Sequence, residues 1–225
     1  MSKKTARAGR RTEALTKAQI VEAAIAILDS EGVAALTFRT LSTRLATGSG
    51  AIYWHIANKE ELLAAATDHI VAAAMDAAKV PTRKPREAIR AIATAVFDAF
   101  DAHPWIGGQL SLAPGRTGML QVFEAIGGRL VALGVADKDR FDVWSALVNY
   151  IFGVAAQNAD NARRAEEGRT REDMLGTIAE AWGQLDAGQF PFLHEVAVQL
   201  PGHDDREQFL AGIDLILDGA LERRR

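Results

Sequence analysis

Residues 37–55 read TFRTLSTRLATGSGAIYWH, and this stretch decides the fold. Thr37 can cap a short helix whose inner face carries Phe38, Leu41 and Leu45 at helical spacing. A tight connection around residues 46–48 then leads to a second short helix that begins near Gly48-Ser49. Two short helices joined in this way are what a helix-turn-helix motif needs.

The second of these helices has two different faces. At about 100° per residue, Ile52 and Ile56 lie on one side and predict contact with the core. Tyr53 falls on the flank, and the opposite half carries Thr47, Gly50, Ala51 and Trp54. An aromatic pair beside glycine and alanine is unusual on a solvated surface, but suits a face that meets DNA. Gly50 lets the backbone come close, the Ala51 methyl suits a thymine methyl, and Tyr53 and His55 can donate to phosphates.

The flanking sequence supplies the other helices of a small domain. Thr16 and Gln19 form a capping box that starts a helix, and Gly32 is expected to end it as a left-handed cap. Asn58 caps a further helix, predicted over about 59–79, and Glu60 and Glu61 suit its N-terminus. Two prolines within residues 79–86 then interrupt the helical pattern.

Beyond this break every segment with a clear period is helical. Helices are predicted over roughly 86–102, 117–133, 138–164, 171–186 and 204–223. Turn signals separate them at His103-Pro104, Ala113-Pro114-Gly115, Gly134, Pro191 and Pro201-Gly202. The predicted class is all-α. We expect a basic arm at 1–15, a helix-turn-helix domain at 16–62 and a larger helical domain at 63–225.

Charge divides the chain in the same place. Residues 1–60 hold nine Lys/Arg and five acidic side chains, whereas the remaining 165 residues hold 17 basic and 24 acidic ones. A basic module on an acidic body suggests that only the first part meets a polyanion, although an ordinary solvated surface explains the charges equally well. Within the arm, Lys3 to Arg11 can add salt-dependent affinity for phosphates.

Composition and residue spacing exclude several classes of protein and of functional site. The chain has no cysteine, which removes disulfides and thiolate chemistry, and its five histidines show no metal-ligand spacing. His194-Glu195 lacks the second histidine of a zinc protease, and Gly48-Ser49-Gly50 lacks the strand and third glycine of a dinucleotide loop. No apolar run is long enough to span a membrane. We therefore expect no catalytic site, metal or cofactor, and a cytoplasmic protein.

The first module resembles the DNA-binding domain of the tetracycline-repressor (TetR) family of bacterial transcription regulators. The residues that carry the resemblance are Ala23-Ala24, Gly32, Leu36-Thr37, Arg39, Leu41, Leu45, Ala51 to His55 and Asn58 to Leu63. The resemblance implies that Arg39 contacts a base edge. It also implies a second group of residues that bind phosphates or line the groove, namely Thr37, Tyr53, Trp54, His55 and Lys59. With Thr47, Ser49, Gly50 and Ala51, these residues form the predicted DNA-binding set.

Alternatives remain for three members of this set. They are a surface ion pair for Arg39, packing against the first helix for Trp54, and a core position for Tyr53. The turn also departs from the family, which usually has glycine then valine where this chain has Ala46 and Thr47. We expect Gly48 to take the positive φ instead. This would shift the start of the second helix of the motif, the recognition helix that enters the DNA groove.

Residues 86–225 resemble, more weakly, the ligand-binding and dimerisation domain of the tetracycline-repressor subgroup. The resemblance rests on His103-Pro104-Trp105, Tyr150 to Gly153 and Phe209 to Gly219. It implies a cavity for a small, largely apolar effector. The candidate lining residues are Phe97, Phe100, His103, Trp105, Phe123, Trp144, Asn149, Phe152, Gln157 and Trp182. Tetracycline–magnesium is not expected, because Gln157 stands where that repressor has a metal-binding glutamate.

The expected function is that of a dimeric repressor, since one small recognition helix makes few base contacts and a two-fold dimer on a palindrome doubles them. The expected partners are a double-stranded DNA operator, a second copy of the chain and an unknown small-molecule effector. Helices near 138–156 and 208–221 would form the dimer interface, with Ala146, Val148, Ile213, Ile216 and Leu217 as candidates. The alternatives are a DNA-binding regulator without an effector and a small α-helical enzyme or carrier.

Overall fold

The computed structural model describes residues 15–79, 84–112, 115–165 and 170–222. The predicted basic arm lies outside these residues except for Leu15, as do the central part of the proline-containing break and Ala113-Pro114. The described residues are helical and contain no strand, which confirms the all-α class. The α-helices are α1 (Lys17–Ala35), α2 (Phe38–Arg44), α3 (Ser49–Tyr53), α4 (Lys59–Ala77), α5 (Pro85–Ala102), α6 (Thr117–Leu133), α7 (Asp137–Ala165), α8 (Arg171–Gly183), α9 (Pro191–Ala197) and α10 (Asp205–Glu222).

The chain forms two compact units, residues 1–62 and 63–225, and the division falls within α4. In the first unit α1 begins with the expected capping box. The Thr16 hydroxyl accepts from the Gln19 amide at 3.2 Å, and the Gln19 side chain accepts from the Thr16 amide at 2.9 Å. These bonds satisfy backbone donors that the first turn leaves without helical partners. The buried face of α1 carries Ile20, Val21, Ala24, Ile27 and Leu28.

Gly32 interrupts α1 without ending it. Its φ of 78° is positive as expected, but its ψ of 176° lies far from the left-handed helical cap. This combination is accessible essentially to glycine alone. The positive φ and the break in the helix at Gly32 follow the prediction. The left-handed helical cap does not form, and helical residues resume after the kink up to Ala35.

The second unit is built around α5, α6, α7 and α10. The Phe97 and Phe209 rings stack at 4.9 Å between centroids, which joins α5 to α10. At the outer edge the Arg86 guanidinium binds Asp214 at 3.0 Å and Asp218 at 2.5 Å. An apolar core and a charged border thus fix the same pair of helices.

The later helices lie close to their predicted positions, and the differences occur at proline. Pro191 was expected to mark a turn, but it is the first residue of α9. Proline suits this position because its fixed φ is helical and its missing N–H would have no helical partner. Two 3₁₀ helices, Pro104–Leu112 and Leu200–Gly202, also replace predicted turns.

Candidate functional site

The turn between α2 and α3 places its strain on an alanine. Ala46 has a φ of 49°, the only positive φ at a non-glycine residue in the described part of the chain. Gly48 has a φ of −80° and directly precedes α3, so the prediction that it takes the positive φ is wrong. The Thr47 amide donates to the Ser42 carbonyl at 3.0 Å, which ties the turn back to α2. The recognition helix therefore begins at Ser49.

The outward face of α3 carries two large aromatic side chains. Ile52 and Ile56 are buried, which confirms their predicted orientation. Trp54 is 89% exposed and Tyr53 is 54% exposed. Trp54 therefore does not pack against α1, and Tyr53 is not a core residue. Adjacent exposed apolar groups of this size are typical of interaction surfaces.

Tyr53 is held in place from one side. Its ring stacks on Phe38 of α2 with centroids 4.3 Å apart and planes within 3° of parallel. The stack uses one face of the tyrosine and leaves the residue half in solvent. This arrangement orients the phenol at low cost, because the ring is already ordered before a partner arrives.

All ten predicted DNA-binding residues lie at the surface of the first unit. The exposed ones are Thr37, Arg39, Ser49, Gly50, Tyr53, Trp54 and His55, and the half-buried ones are Thr47, Ala51 and Lys59. Surface position is required of an interface residue.

Three of these side chains have informative surroundings. The Thr37 hydroxyl accepts from the Thr40 amide at 3.0 Å and so serves as the cap of α2. The Lys59 amine donates to the Val33 carbonyl at 2.6 Å, which uses one of its three donors inside the protein. In the described residues no acidic group pairs with the Arg39 guanidinium, so the alternative of a surface ion pair finds no partner there.

The second unit contains a cavity of about 540 Å³ between α4, α5 and α6. Its volume falls in the range of small-molecule sites. Its apolar lining is Met75, Ala78, Ala88, Ile92, Leu120 and Ala125, and its polar lining is Lys79, Thr117, Gln121, Glu124 and Arg129. None of these residues was predicted from the sequence, although Thr117, Gln121 and Glu124 recur at helical spacing along one side of α6.

Two further cavities lie in the same unit. One of about 600 Å³ between α4 and α5 is lined mainly by alanines and includes His103. The other, of about 370 Å³, is polar and includes Phe97 beside two ion pairs, Arg206 with Asp98 and Arg171 with Asp205. Of the ten predicted effector-binding residues, these three cavities involve only Phe97 and His103.

The other predicted effector residues have different surroundings. Phe100, Trp105 and Phe152 are buried in the core. Trp144 is half-buried, meets Phe123 edge to face at 5.4 Å between centroids and donates its indole N–H to the Phe123 carbonyl at 3.1 Å. Asn149 and Gln157 lie on the exposed side of α7, and Trp182 is half-buried on α8. Aromatic side chains at helical spacing here form core contacts, which sequence periodicity does not distinguish from a cavity wall.

The start of α6 lies against the backbone of α4. The Gly118 amide donates to the Asp68 carboxylate at 2.6 Å. A Cβ atom at position 118 would stand only 2.7 Å from the Asp68 carbonyl oxygen and 2.9 Å from the Ala72 nitrogen. Only glycine allows this approach without a shift of one helix. Thr117 and Leu120, the neighbours of Gly118, line the cavity of about 540 Å³, so an occupant of that cavity touches the segment that contacts α4.

In the described part of the chain no helix is long and apolar enough to cross a membrane. The same residues contain no group of three or more histidine and acidic side chains suited to a metal ion.

Known proteins resemble both units. Residues 20–66 match the family described as bacterial regulatory proteins, tetR family, and residues 80–224 match the tetracyclin repressor-like C-terminal domain. A TetR transcriptional regulator of known structure from Streptomyces coelicolor is 46% identical, with a TM-score of 0.83 over 94% of this chain and 100% of that one. The TetR family protein ActR from the same organism, solved in complex with (S)-DNPA, is 25% identical, with a TM-score of 0.72 over 93% of this chain and 98% of that one. The HTH-type transcriptional repressor DrrR1 of Streptomyces coeruleorubidus is 26% identical, over 91% of this chain and 77% of its own.

Proposed function

The chain belongs to the TetR family of bacterial transcriptional regulators, and on this premise we propose that it is a dimeric repressor that leaves a palindromic operator when a small, largely apolar molecule binds its larger unit. The observation that carries the proposal is the outward face of α3, where Trp54 and Tyr53 stand in solvent beside Gly50. Such a face suits the major groove, because the glycine permits close approach and the aromatic groups can meet phosphates.

On the DNA side we assign different roles to different residues. Arg39, which has no acidic partner in the described residues, would bind a base edge, and guanine suits its two-pronged donor. Thr37, Tyr53, Trp54, His55 and Lys59 would meet phosphates or line the groove. Thr47, Ser49, Gly50 and Ala51 would lie closest to the bases. Lys59 can take part because its bond to Val33 leaves two donors free.

The proposed effector site is the cavity of about 540 Å³ between α4, α5 and α6. Its mostly apolar wall suits an apolar body, and Lys79, Arg129 and Glu124 offer polar contacts for the remainder. The ActR structure holds a small molecule, and the likeness to ActR covers most of this chain, which supports a ligand-responsive role. The ten residues selected from the sequence are replaced in this proposal by the lining of the cavity.

We propose that ligand binding affects DNA binding through the contact that Gly118 of α6 makes with α4. A ligand that displaces α6 would move α4, since the backbones of these helices touch where Gly118 meets Asp68. Helix α4 begins at Lys59, in the DNA-binding unit. The two half-sites on DNA lie about 34–36 Å apart, so a small change in the spacing of the recognition helices weakens binding. The ligand acts only through its different affinity for the two arrangements.

The proposed dimer uses the exposed sides of α7 and α10. Val148, Ile213 and Leu217, which were candidates for this contact, are buried within the chain. Ala146 of α7 and Leu215 of α10 are exposed instead, and Ile216 is half-buried. Small and aliphatic side chains on neighbouring helices suit a self-complementary four-helix contact across a two-fold axis.

Selection of bound sequences from random DNA with the purified chain tests the DNA assignment. We expect an enriched palindrome, and we expect Arg39→Ala combined with Tyr53→Ala to abolish its binding while circular dichroism remains that of the unchanged chain. Phe192→Ala, at an exposed aromatic residue of α9 outside the proposed dimer contact, is the matched control and should bind like the unchanged chain. Specific binding retained by the double variant would refute the assigned face.

A thermal-shift screen separates this proposal from a regulator without an effector. A ligand that raises the melting temperature should also release operator DNA. Ala125→Trp, which fills the cavity, should abolish both effects, and Val131→Trp on the exposed side of the same helix should not. If no compound releases DNA, the regulator without an effector is favoured.

These roles require binding and no catalysis, so we assign no enzymatic activity, metal or cofactor. Because the proposed partner is chromosomal DNA, we place the protein in the cytoplasm.

A further inference from the structure

A chain of hydroxyl groups runs from α2 to the first residue of the recognition helix. Ser42 is 9% exposed, and its hydroxyl oxygen lies 2.6 Å from the Phe38 carbonyl oxygen and 2.9 Å from the Ser49 hydroxyl oxygen. Ser49 itself is exposed. The buried Ser42 hydroxyl thus links the Phe38 carbonyl to the Ser49 side chain, which lies at the surface proposed to contact DNA.

The direction of each hydrogen bond in this chain is fixed by proton counting. A carbonyl oxygen carries no hydrogen, so Ser42 must donate to Phe38. A serine hydroxyl has one hydrogen and two lone pairs. Because Ser42 has used its hydrogen, it can only accept from Ser49. The hydrogen of Ser49 therefore points inward, and its outward side offers lone pairs alone.

We propose that this relay makes Ser49 an acceptor-only reader of the operator, selective for a base that presents an amino group in the major groove. The inference rests on the proposed function, since it concerns DNA bound by α3. The N-terminal residues of a recognition helix are the ones that contact base edges, and Ser49 is the first residue of α3. Adenine N6 and cytosine N4 donate in the major groove, whereas guanine O6 and N7 and thymine O4 accept.

A free serine hydroxyl serves a donor or an acceptor equally and discriminates poorly. With the relay intact, guanine or thymine opposite Ser49 places lone pairs against lone pairs. Ser42 thereby sets base preference without touching DNA, which makes it a positioning residue. The expected preference is about fivefold, the factor that one neutral hydrogen bond contributes.

The test uses the full chain and the operator found by selection. Affinities are measured for each of the four bases at every half-site position, for the unchanged chain and for Ser49→Ala, Ser42→Ala and Thr43→Ala. Thr43 is the matched control, because its hydroxyl also donates to a carbonyl one turn earlier, that of Arg39 at 3.1 Å, and has no bond to Ser49. The position at which Ser49→Ala loses its base preference is the one that Ser49 contacts. At that position the unchanged chain and Thr43→Ala should prefer adenine or cytosine about fivefold. In Ser42→Ala the Ser49 hydroxyl is free to rotate, so this preference should fall below about twofold while other positions keep theirs.

A base analogue gives a second reading that does not depend on Ser42→Ala folding normally. Replacing the preferred adenine by purine, or cytosine by 2-pyrimidinone, removes the amino group. This change should weaken the unchanged chain about fivefold and leave Ser49→Ala unaffected. A preference for guanine or thymine at that position, or a preference that survives in a folded Ser42→Ala, overturns the relay but leaves the proposed function standing. Absence of any specifically bound sequence overturns both.

Discussion

The close approach of α6 to α4 makes a substitution at Gly118 informative. Gly118→Ala adds a single methyl group, which would lie 2.7 Å from the Asp68 carbonyl oxygen and 2.9 Å from the Ala72 nitrogen. Both contacts are with backbone atoms, so no side chain can rotate away. Either α6 or α4 must shift, and such a shift lengthens the 2.6 Å bond from the Gly118 amide to the Asp68 carboxylate.

The expected magnitude follows from opposing effects. Replacing glycine by alanine within a helix stabilises it by about 0.5–1 kcal/mol. Forcing a methyl group into a filled contact costs about 1–3 kcal/mol, and weakening a hydrogen bond to a carboxylate costs about 1.5–3 kcal/mol when the bond is lost entirely. We therefore expect Gly118→Ala to lower the free energy of unfolding by about 2 kcal/mol.

The matched control is Gly128→Ala in the same helix. Gly128 is exposed, and a methyl group there would meet nothing within 4 Å. It should raise the free energy of unfolding by about 0.5–1 kcal/mol. Urea unfolding followed by circular dichroism gives the midpoint for each variant and the unchanged chain. Equal stabilisation by both substitutions would refute the close approach.

Four further substitutions test three separate features of the structure. Ala46→Gly should raise the free energy of unfolding by about 0.5–1 kcal/mol, because glycine avoids the cost of a positive φ of 49° but loses more chain entropy; a decrease in the urea midpoint would contradict this. The hydrogen bond from Arg86 lowers the pKa of Asp218, so its stabilising contribution is present above its ordinary value of 3.8 and fades as the pH falls through the lowered folded pKa. The stability difference between the unchanged chain and Asp218→Asn should therefore vanish in strong acid, and a pH-independent difference would exclude the ion pair as its source. Ile52→Ala should lower the free energy of unfolding by about 2–5 kcal/mol, because the side chain is buried, whereas Trp54→Ala should change it by less than about 0.5 kcal/mol. Thermal unfolding measures both variants. Similar losses of stability in the two would show that the Trp54 side chain packs against the protein.

Local signals predicted the first unit well. Thr16 with Gln19, Thr37 and Asn58 each accept a backbone amide at the start of a helix, as expected from residue type and spacing alone. Capping is a contact within a few residues, so sequence contains all of it. The inward position of Ile52 follows from helical periodicity for the same reason.

Features that depend on distant contacts were not predicted. The positive φ fell on Ala46 because the bonds of the turn to α2 decide the backbone there, against the local preference for Gly48. The cavity between α4, α5 and α6 was missed because it exists where small side chains such as Ala78, Ala88 and Ala125 leave space between helices. Large aromatic side chains were predicted to line the site instead, and most of those fill the core.

Photocrosslinking from position 54 tests the central claim, that the exposed face of α3 contacts DNA, most directly. Trp54 is replaced by benzoylphenylalanine, and the control carries the same replacement at Phe192, which is 67% exposed in α9 of the larger unit. The expected result is a covalent link to the selected operator from position 54 and none from position 192. Specific operator binding without a link from position 54, or with equal links from both positions, would contradict the account.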